Sequence, residues 1–151
     1  MSKRFRGFTL IELLVVVALI AIASGVVSLA LRDPAATQLD QEAARLSALF
    51  ESARAEARAS GLSVFWEPRS GVAEEPGFRF VGLPASTDLP SHWLAAGVTA
   101  EVVGARGVVL GPEPLIGAQR VVLRIDAKRL ALATDGLGPF IVAEDAEPAV
   151  R

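Results

Sequence analysis

The sequence predicts an α+β fold in which a long N-terminal helical region precedes a domain of antiparallel strands. Three observations support this. From Leu13 to Leu31, 19 consecutive residues carry no charge. From Thr37 to Ser60, apolar residues recur at helical spacing. Beyond Gly61, short segments rich in β-branched and aromatic residues alternate with Gly, Pro, Asp and Ser. The 151 residues are enough for one such domain with a single core.

The N-terminal apolar segment is long enough to cross a membrane. Phe8–Leu31 is 24 residues, which span about 36 Å as a helix against a bilayer core of about 30 Å. Lys3, Arg4 and Arg6 precede the segment, so the positive-inside rule predicts a cytoplasmic N-terminus. We therefore expect the residues after Arg32 to lie outside the cytoplasm.

Glu12 is the one charge within this segment. A carboxylate at the centre of a membrane helix costs about 2.5–3.5 kcal/mol and indicates a functional role by default. Near the interface it costs less, so a tolerated interfacial Glu is an alternative. A secretory signal peptide would have a shorter apolar run of about 7–15 residues. A plain membrane anchor accounts for the length and leaves Glu12 unexplained.

The string Arg6-Gly7-Phe8-Thr9-Leu10-Ile11-Glu12 resembles the N-terminal signal of type IV pilins and type II secretion pseudopilins. The resemblance implies that a prepilin peptidase cleaves between Gly7 and Phe8 and methylates the new Phe8 amine. It also implies an assembly role for Glu12, the fifth residue of the processed chain, as partner of a neighbouring subunit's amine. The implied organisation is a leader of residues 1–7, a transmembrane and assembly helix of residues 8–31, and a periplasmic domain of residues 32–151.

The second helical segment begins the periplasmic domain. Asp33 is a suitable N-cap and Pro34 a suitable first residue, although a kink in one continuous helix is the alternative. The apolar positions form a stripe that predicts an amphipathic helix over about 37–60, with Gly61 as its stop. They are Leu39, Ala43, Leu46, Phe50, Ala53 and Ala57. The charged residues of the other faces predict a solvated surface. These are Asp40, Glu42, Arg45, Glu51, Arg54, Glu56 and Arg58.

The remaining chain predicts seven strands of a sheet that the helix covers on one face. The segments are Leu62–Glu67, Phe78–Leu83, Val98–Val103, Arg106–Leu110, Val121–Ile125, Leu130–Thr134 and Phe140–Ala143. The fifth and sixth form a hairpin joined through residues 126–129. Four basic residues surround this hairpin, and a solvated edge is the interpretation we favour. They are Arg120, Arg124, Lys128 and Arg129.

Composition argues against several classes of function. Cysteine is absent, which excludes disulfides, thiol nucleophiles and thiolate metal sites. After Leu31 there are 12 basic and 16 acidic residues, an unfavourable balance for binding nucleic acid. His92, the one histidine, has no recognisable catalytic partners in sequence, so we interpret it as a surface or packing residue. We expect no catalytic, metal or cofactor site, and no enzymatic activity.

Looser matches extend the resemblance to the H-type minor pseudopilins of type II secretion, the GspH/FimT group. They lie in residues 89–93, 96–98, 113–115 and 135–140. The resemblance implies a structural subunit of the periplasmic pseudopilus, anchored in the inner membrane by a single span. Its implied partners are other pseudopilins, the prepilin peptidase and the inner-membrane assembly platform. A FimT-like type IV minor pilin, involved in pilus assembly or DNA uptake, is the alternative, and an anchored envelope enzyme is a further one.

Overall fold

The computed structural model describes residues 9–30, 34–69 and 77–143. The chain forms two compact units, of which one ends at Asp33 and the other begins at Pro34. Gly7 and Phe8, the predicted processing residues, and Asp33, the predicted cap, lie outside the described residues.

The first unit contains helix α1, Leu10–Ala30. Its large apolar side chains between Leu10 and Ile22 are 40–79% exposed. In a water-soluble domain, a helix that is apolar on all sides is normally buried. Within the described residues, no helix combines the length and the hydropathy that crossing a bilayer demands.

The second unit begins with helix α2, Pro34–Ser60, which starts three residues before the predicted boundary, at the proline that suits the first helical position. All six residues of the predicted apolar stripe are at most 2% exposed. The helix ends as predicted, since Gly61 takes a φ of 68° and its N–H donates to the Ala57 carbonyl at 2.9 Å. The stripe is therefore the face that α2 contributes to the core.

Within residues 61–69 and 77–143, seven strands follow α2, and each overlaps a predicted segment. They are β1 Val64–Arg69, β2 Gly77–Val81, β3 Thr99–Val102, β4 Val108–Gly111, β5 Gln119–Ile125, β6 Lys128–Thr134 and β7 Ile141–Ala143. They form two antiparallel sheets, with strand orders β2-β1-β4 and β3-β5-β6-β7. The expectation of a single sheet was therefore wrong, because strand patterns locate strands and do not specify which strands pair.

In the described part of the chain the two sheets share no strand pairing, and the Gln119 side chain links them. Gln119 of β5 accepts the Val109 N–H at 2.7 Å through Oε1 and donates to the Val109 carbonyl at 2.9 Å through Nε2. The amide group thus binds the backbone of β4 as a neighbouring strand would. This pairing also covers polar groups on an edge strand that would otherwise attract other chains.

The β5–β6 hairpin is tighter than predicted. Ile125 pairs with Lys128, so Asp126 and Ala127 alone form the turn, rather than residues 126–129. Asp126 has a φ of 50°, a left-handed conformation that Asp tolerates better than most residues. Lys128 and Arg129 are consequently strand residues.

An aromatic cluster fills the core between α2 and the sheets. Phe50 of α2 contacts Trp66 of β1 edge to face, with ring centroids 5.2 Å apart, and Phe140 at 4.7 Å. Phe78 of β2 contacts Trp93 at 4.7 Å. Such contacts contribute about 0.5–1.5 kcal/mol each beyond area burial. The cluster fixes the segments around Trp93 and Phe140, which have little regular structure of their own.

Candidate processing and assembly site

Thr9 caps the start of α1. Its Oγ1 accepts the Glu12 N–H at 3.3 Å, and its carbonyl accepts the Leu13 N–H at 3.2 Å. These bonds satisfy donors that the first turn of a helix leaves without intrahelical partners. Thr9 and Glu12 have the Thr-x-x-Glu spacing of a capping box. This spacing is visible in the sequence and is a signal for the start of α1.

Glu12 lies in the first turn of α1 and is exposed. A carboxylate at this end of a helix interacts favourably with the helix dipole. Within residues 9–30, the part of the first unit that the structure describes, Glu12 is the one charged side chain, and its neighbours in sequence are exposed apolar residues. Such a carboxylate can receive a cation from another molecule. Because Gly7 and Phe8 lie outside the described residues, their predicted roles stay predictions.

Glu42 contradicts the prediction of a solvated charged face on α2. It is 1% exposed. Its Oε1 accepts the N–H groups of Leu94 and, at 2.9 Å, of Ala95. Arg45 lies 3.5 Å from Oε2 and donates to the His92 carbonyl at 2.9 Å. The two charged side chains therefore hold residues 92–95 against the helix.

Arg54 contradicts the same prediction. It is 3% exposed, and its Nη1 donates to the Gly138 carbonyl at 2.9 Å and to Glu51 at 3.0 Å. Ser47 donates to the Phe140 carbonyl at 2.5 Å. These bonds attach the segment after β6 to α2.

The spacing of both buried charges relative to the apolar stripe could have revealed them. Glu42 lies three residues after Leu39, and Arg54 lies four residues after Phe50, so both extend the buried face. Each also has an oppositely charged residue three positions away. A charged residue at the border of an apolar stripe with such a partner can be buried, whereas an unpartnered one is not.

Asp135 forms a local turn rather than a cation site. Its Oδ1 accepts the N–H groups of Leu137 and Gly138, both at 2.9 Å. The Gly138 and Leu137 N–H groups, in that order, lower the pKa of the Asp135 carboxyl below its usual value. Among the described residues, no cluster of three or more His, Cys, Asp and Glu side chains could hold a metal ion.

His92 is exposed, and its backbone groups make its contacts with the rest of the fold. The His92 carbonyl accepts a hydrogen bond from the Arg45 guanidinium, and the His92 backbone forms an isolated β-bridge with Gly77 at the start of β2.

The basic residues of the hairpin lie along β5 and β6. Arg124 and Arg129 are direct cross-strand partners, and Arg120 opposes Ala133 four residues further along β5, on the same face of the sheet. Arg124 also lies 3.3 Å from Glu101 of β3. The predicted solvated hairpin edge is therefore a group of arginines on one sheet face with a carboxylate beside it.

Comparison with known proteins bears on both units of the chain. The family described as a prokaryotic N-terminal methylation motif matches residues 2–28, which include Gly7, Phe8 and Glu12. No curated protein matches the chain. The crystal structure of the Pseudomonas aeruginosa type IV minor pilin FimU matches with a TM-score of 0.53 and 17% identity, covering 71% of this chain and 89% of that one.

The fold is pilin-like. At 17% identity the likeness to FimU establishes the fold alone, and it agrees with the predicted α+β class of a helix packed on antiparallel strands. The N-terminus independently matches the prokaryotic N-terminal methylation motif, over residues 2–28 alone. Neither comparison distinguishes a type II secretion pseudopilin from a type IV minor pilin.

Proposed function

We propose that this chain is a minor pseudopilin of the H type, a structural subunit of the pseudopilus of type II protein secretion. The observation that carries the proposal is the Gly7-Phe8 junction with Glu12 five residues into the processed chain. It lies within a matched methylation motif, and the rest of the chain folds like a pilin. A pilin-like fold explains the helix and sheets, and the motif explains a charge in an otherwise apolar helix.

Processing follows from the chemistry of the junction. Gly7 has no side chain, so a peptidase can approach the scissile bond closely. Cleavage removes the charges of Lys3, Arg4 and Arg6 and creates one α-amine on Phe8. The apolar segment follows the cut and stays in the mature protein. We propose residues 1–7 as leader, 8–31 as the inner-membrane span and assembly helix, and 32–151 as the periplasmic domain.

Assembly uses the same apolar surface as anchoring. The exposed side chains of α1 are stabilised by lipid before assembly and by the helices of neighbouring subunits afterwards. Glu12 fixes how neighbouring helices align during assembly, because its carboxylate pairs with the methylated ammonium of a neighbouring subunit in surroundings that contain little water. The attraction between such charges is strengthened there, and a mismatched register leaves an unpaired charge. The partners are other pseudopilins, the prepilin peptidase and the inner-membrane assembly platform.

The test is the intact mass of the protein purified from its native membrane. We expect a chain that begins at Phe8 and carries one additional methyl group. Gly7→Val is the matched variant: it leaves the apolar segment unchanged and obstructs the scissile bond, so its mass should correspond to the uncleaved chain. Ala21-Ile22-Ala23 has the small residues of a secretory signal-peptide cleavage site. A wild-type protein that begins at Met1, or that is cut after Ala23 as a secretory signal peptide would be, would contradict the proposal.

A FimT-like minor pilin for DNA uptake is a second candidate, and the arrangement of Arg120, Arg124 and Arg129 on one sheet face favours it. The pairing of Arg124 with Glu101 and the acidic balance of the chain after Leu31 oppose it. We expect no salt-dependent DNA binding by the periplasmic unit. Binding that weakens steeply with salt, and disappears in Arg120→Ala and Arg129→Ala variants, would support this candidate instead.

A further inference from the structure

Two loops of the second unit meet at their backbones, one between β4 and β5 and the other between β6 and β7. The Ile116 N–H donates to the Gly136 carbonyl at 3.3 Å. A Cβ on Gly136 would lie 2.6 Å from backbone atoms of Gly117, so a side chain at this position would prevent the approach. Residues 112–118 and 135–140 therefore form one surface.

Two leucines flank this contact, and both are exposed. Leu115 is 63% and Leu137 is 71% exposed, and the prolines next to the two leucines, at positions 114 and 139, are exposed as well. We call Pro114, Leu115, Leu137 and Pro139 the loop patch. A single exposed leucine needs no explanation, whereas apolar residues brought together on a surface mark an interaction site.

Hydrogen bonds hold the turn that carries Leu137 in one conformation. Asp135 Oδ1 accepts the Leu137 and Gly138 N–H groups, both at 2.9 Å. Thr134 Oγ1 and Arg54 Nη1 donate to the Gly138 carbonyl at 2.8 and 2.9 Å. An exposed leucine on a turn that is already ordered loses little conformational freedom when a partner binds, which favours association.

The charge beside the loop patch is negative. Residues 111–118 and 134–140 contain Glu113 and Asp135 and no basic residue. Among the described residues, Glu113 has no ion pair, and Asp135 accepts hydrogen bonds through Oδ1 alone. Arg54, which contacts the same turn, is 3% exposed and already ion-paired, so it offers no charge to a partner.

We propose that the loop patch docks a neighbouring pilin-type subunit that presents an apolar side chain beside a lysine or arginine. The two leucines supply the apolar contact, and the carboxylates of Glu113 and Asp135 at its border attract the cation. The inference rests on the proposed function for the class of partner, and on exposure, hydrogen bonding and charge for the surface itself.

The charge also separates this partner from nucleic acid and from a membrane surface. Carboxylates without accompanying cations repel the phosphates of nucleic acid and of anionic lipid headgroups. Apolar surfaces that insert into the membrane interface are typically accompanied by basic residues, and the two loops contain none. A protein that carries a basic residue beside an apolar one is therefore the partner that the loop patch fits.

The experiment uses the full chain in its native cell with a photocrosslinking p-benzoylphenylalanine in place of Leu115. We expect a crosslink to another pilin-type subunit, identified by mass spectrometry of the joined peptides. Leu137→Ser should lower the crosslink yield about fivefold, because the variant removes apolar surface that the partner would cover. Leu94→Ser is the matched control, since Leu94 is 64% exposed on another loop, and it should leave the yield unchanged.

A second pair of variants tests the charge. Glu113→Lys should lower the crosslink yield about threefold, as expected for a charge at the border of an interface. Asp88→Lys changes the net charge equally at an exposed position between β2 and β3 and should leave the yield unchanged. Exchange of the partner's basic residue nearest the crosslink for glutamate should restore the yield with Glu113→Lys.

Three outcomes would overturn the docking surface: no crosslink at position 115, a crosslink to lipid or nucleic acid instead of protein, or equal yields from Leu137→Ser and Leu94→Ser. These results differ from failure of the proposed function. In that case the wild-type chain would lack cleavage at Gly7 and would not co-purify with other pilin-type subunits. If cleavage and co-purification persist while the crosslink is absent, the loop patch alone is wrongly assigned.

Discussion

Glu12 and Glu42 are two carboxylates in two helices, and their surroundings are opposite. Glu12 is exposed on a helix that is apolar on all sides. Glu42 is buried on an amphipathic helix, where its carboxylate accepts hydrogen bonds from two backbone N–H groups and lies 3.5 Å from Arg45. A carboxylate that the fold surrounds with donors holds the fold together. One that the fold leaves on an apolar surface is available to another molecule.

The contrast between Glu12 and Glu42 is tested first by the variant Glu12→Val, which should have the largest effect of the changes considered, on assembly. The change removes the charge from an apolar helix, so insertion should be unaffected or improved. We expect incorporation into the filament complex, measured by co-purification with other pilin-type subunits and by secretion, to be abolished. Cleavage at Gly7 should persist, because the junction itself is unchanged.

Two further variants separate the reasons for that loss. Glu12→Gln keeps a side chain that suits the third position of a capping box and removes the charge, so it should fail as Glu12→Val does. Ile11→Val, an apolar exchange at the adjacent exposed position, should assemble normally. Normal assembly of processed Glu12→Val would show that the carboxylate has no role between subunits.

The second prediction concerns Glu42→Ala, a change in stability rather than in assembly. The variant leaves the N–H groups of Leu94 and Ala95 without their acceptor inside the protein. We expect a loss of about 3 kcal/mol in the free energy of unfolding. The measurement is urea unfolding of a fragment that begins at Pro34, where the second compact unit starts. Asp40→Ala, at an exposed position of the same helix, is the control and should change stability little. Equal stability of the two variants would mean that the buried contacts of Glu42 contribute little.

The same contrast explains how much the sequence could predict. All seven strands and the buried stripe of α2 follow from periodicity, because each depends on local spacing. The burial of Glu42 and Arg54 depends on backbone groups that arrive from residues 94–95 and 138, more than 50 residues away in sequence. The pairing of strands into two sheets is equally non-local. Gly7, Phe8 and Glu12 lie in one short stretch of sequence, so the candidate site could be predicted from the sequence alone. The contacts that hold residues 92–95 and 138–140 against α2 could not.

The third prediction concerns Thr9, which lies at the start of the helix that carries Glu12. Thr9→Ala removes the acceptor of the Glu12 N–H and should destabilise the first turn of α1 by about 1 kcal/mol. Amide hydrogen exchange at Glu12, measured on the full chain in detergent micelles, should therefore accelerate about fivefold. Thr9→Ser retains the hydroxyl and should exchange at close to the wild-type rate. Similar rates in all three proteins would show that the cap does not stabilise the turn.

The smallest expected effect concerns a third carboxylate, Asp135, which is neither buried nor on an apolar surface. The Gly138 and Leu137 N–H groups lower its pKa from the ordinary value of 3.8. A lowered pKa in the folded state means that the ionised form stabilises the fold above the ordinary pKa, and that this contribution is lost as the pH falls through the lower folded value. Asp135→Asn keeps an oxygen acceptor for the turn and removes the titration. Below the folded pKa of Asp135, we therefore expect the free energies of unfolding of the variant and the wild type to differ by a constant offset. As the pH rises toward 5, the wild type should gain stability, and the variant should lack part of that gain. Urea unfolding at pH 2.5, 3.5, 5 and 7 measures this difference, and parallel pH profiles for the two proteins would show that the turn bonds give Asp135 no preference for its ionised form.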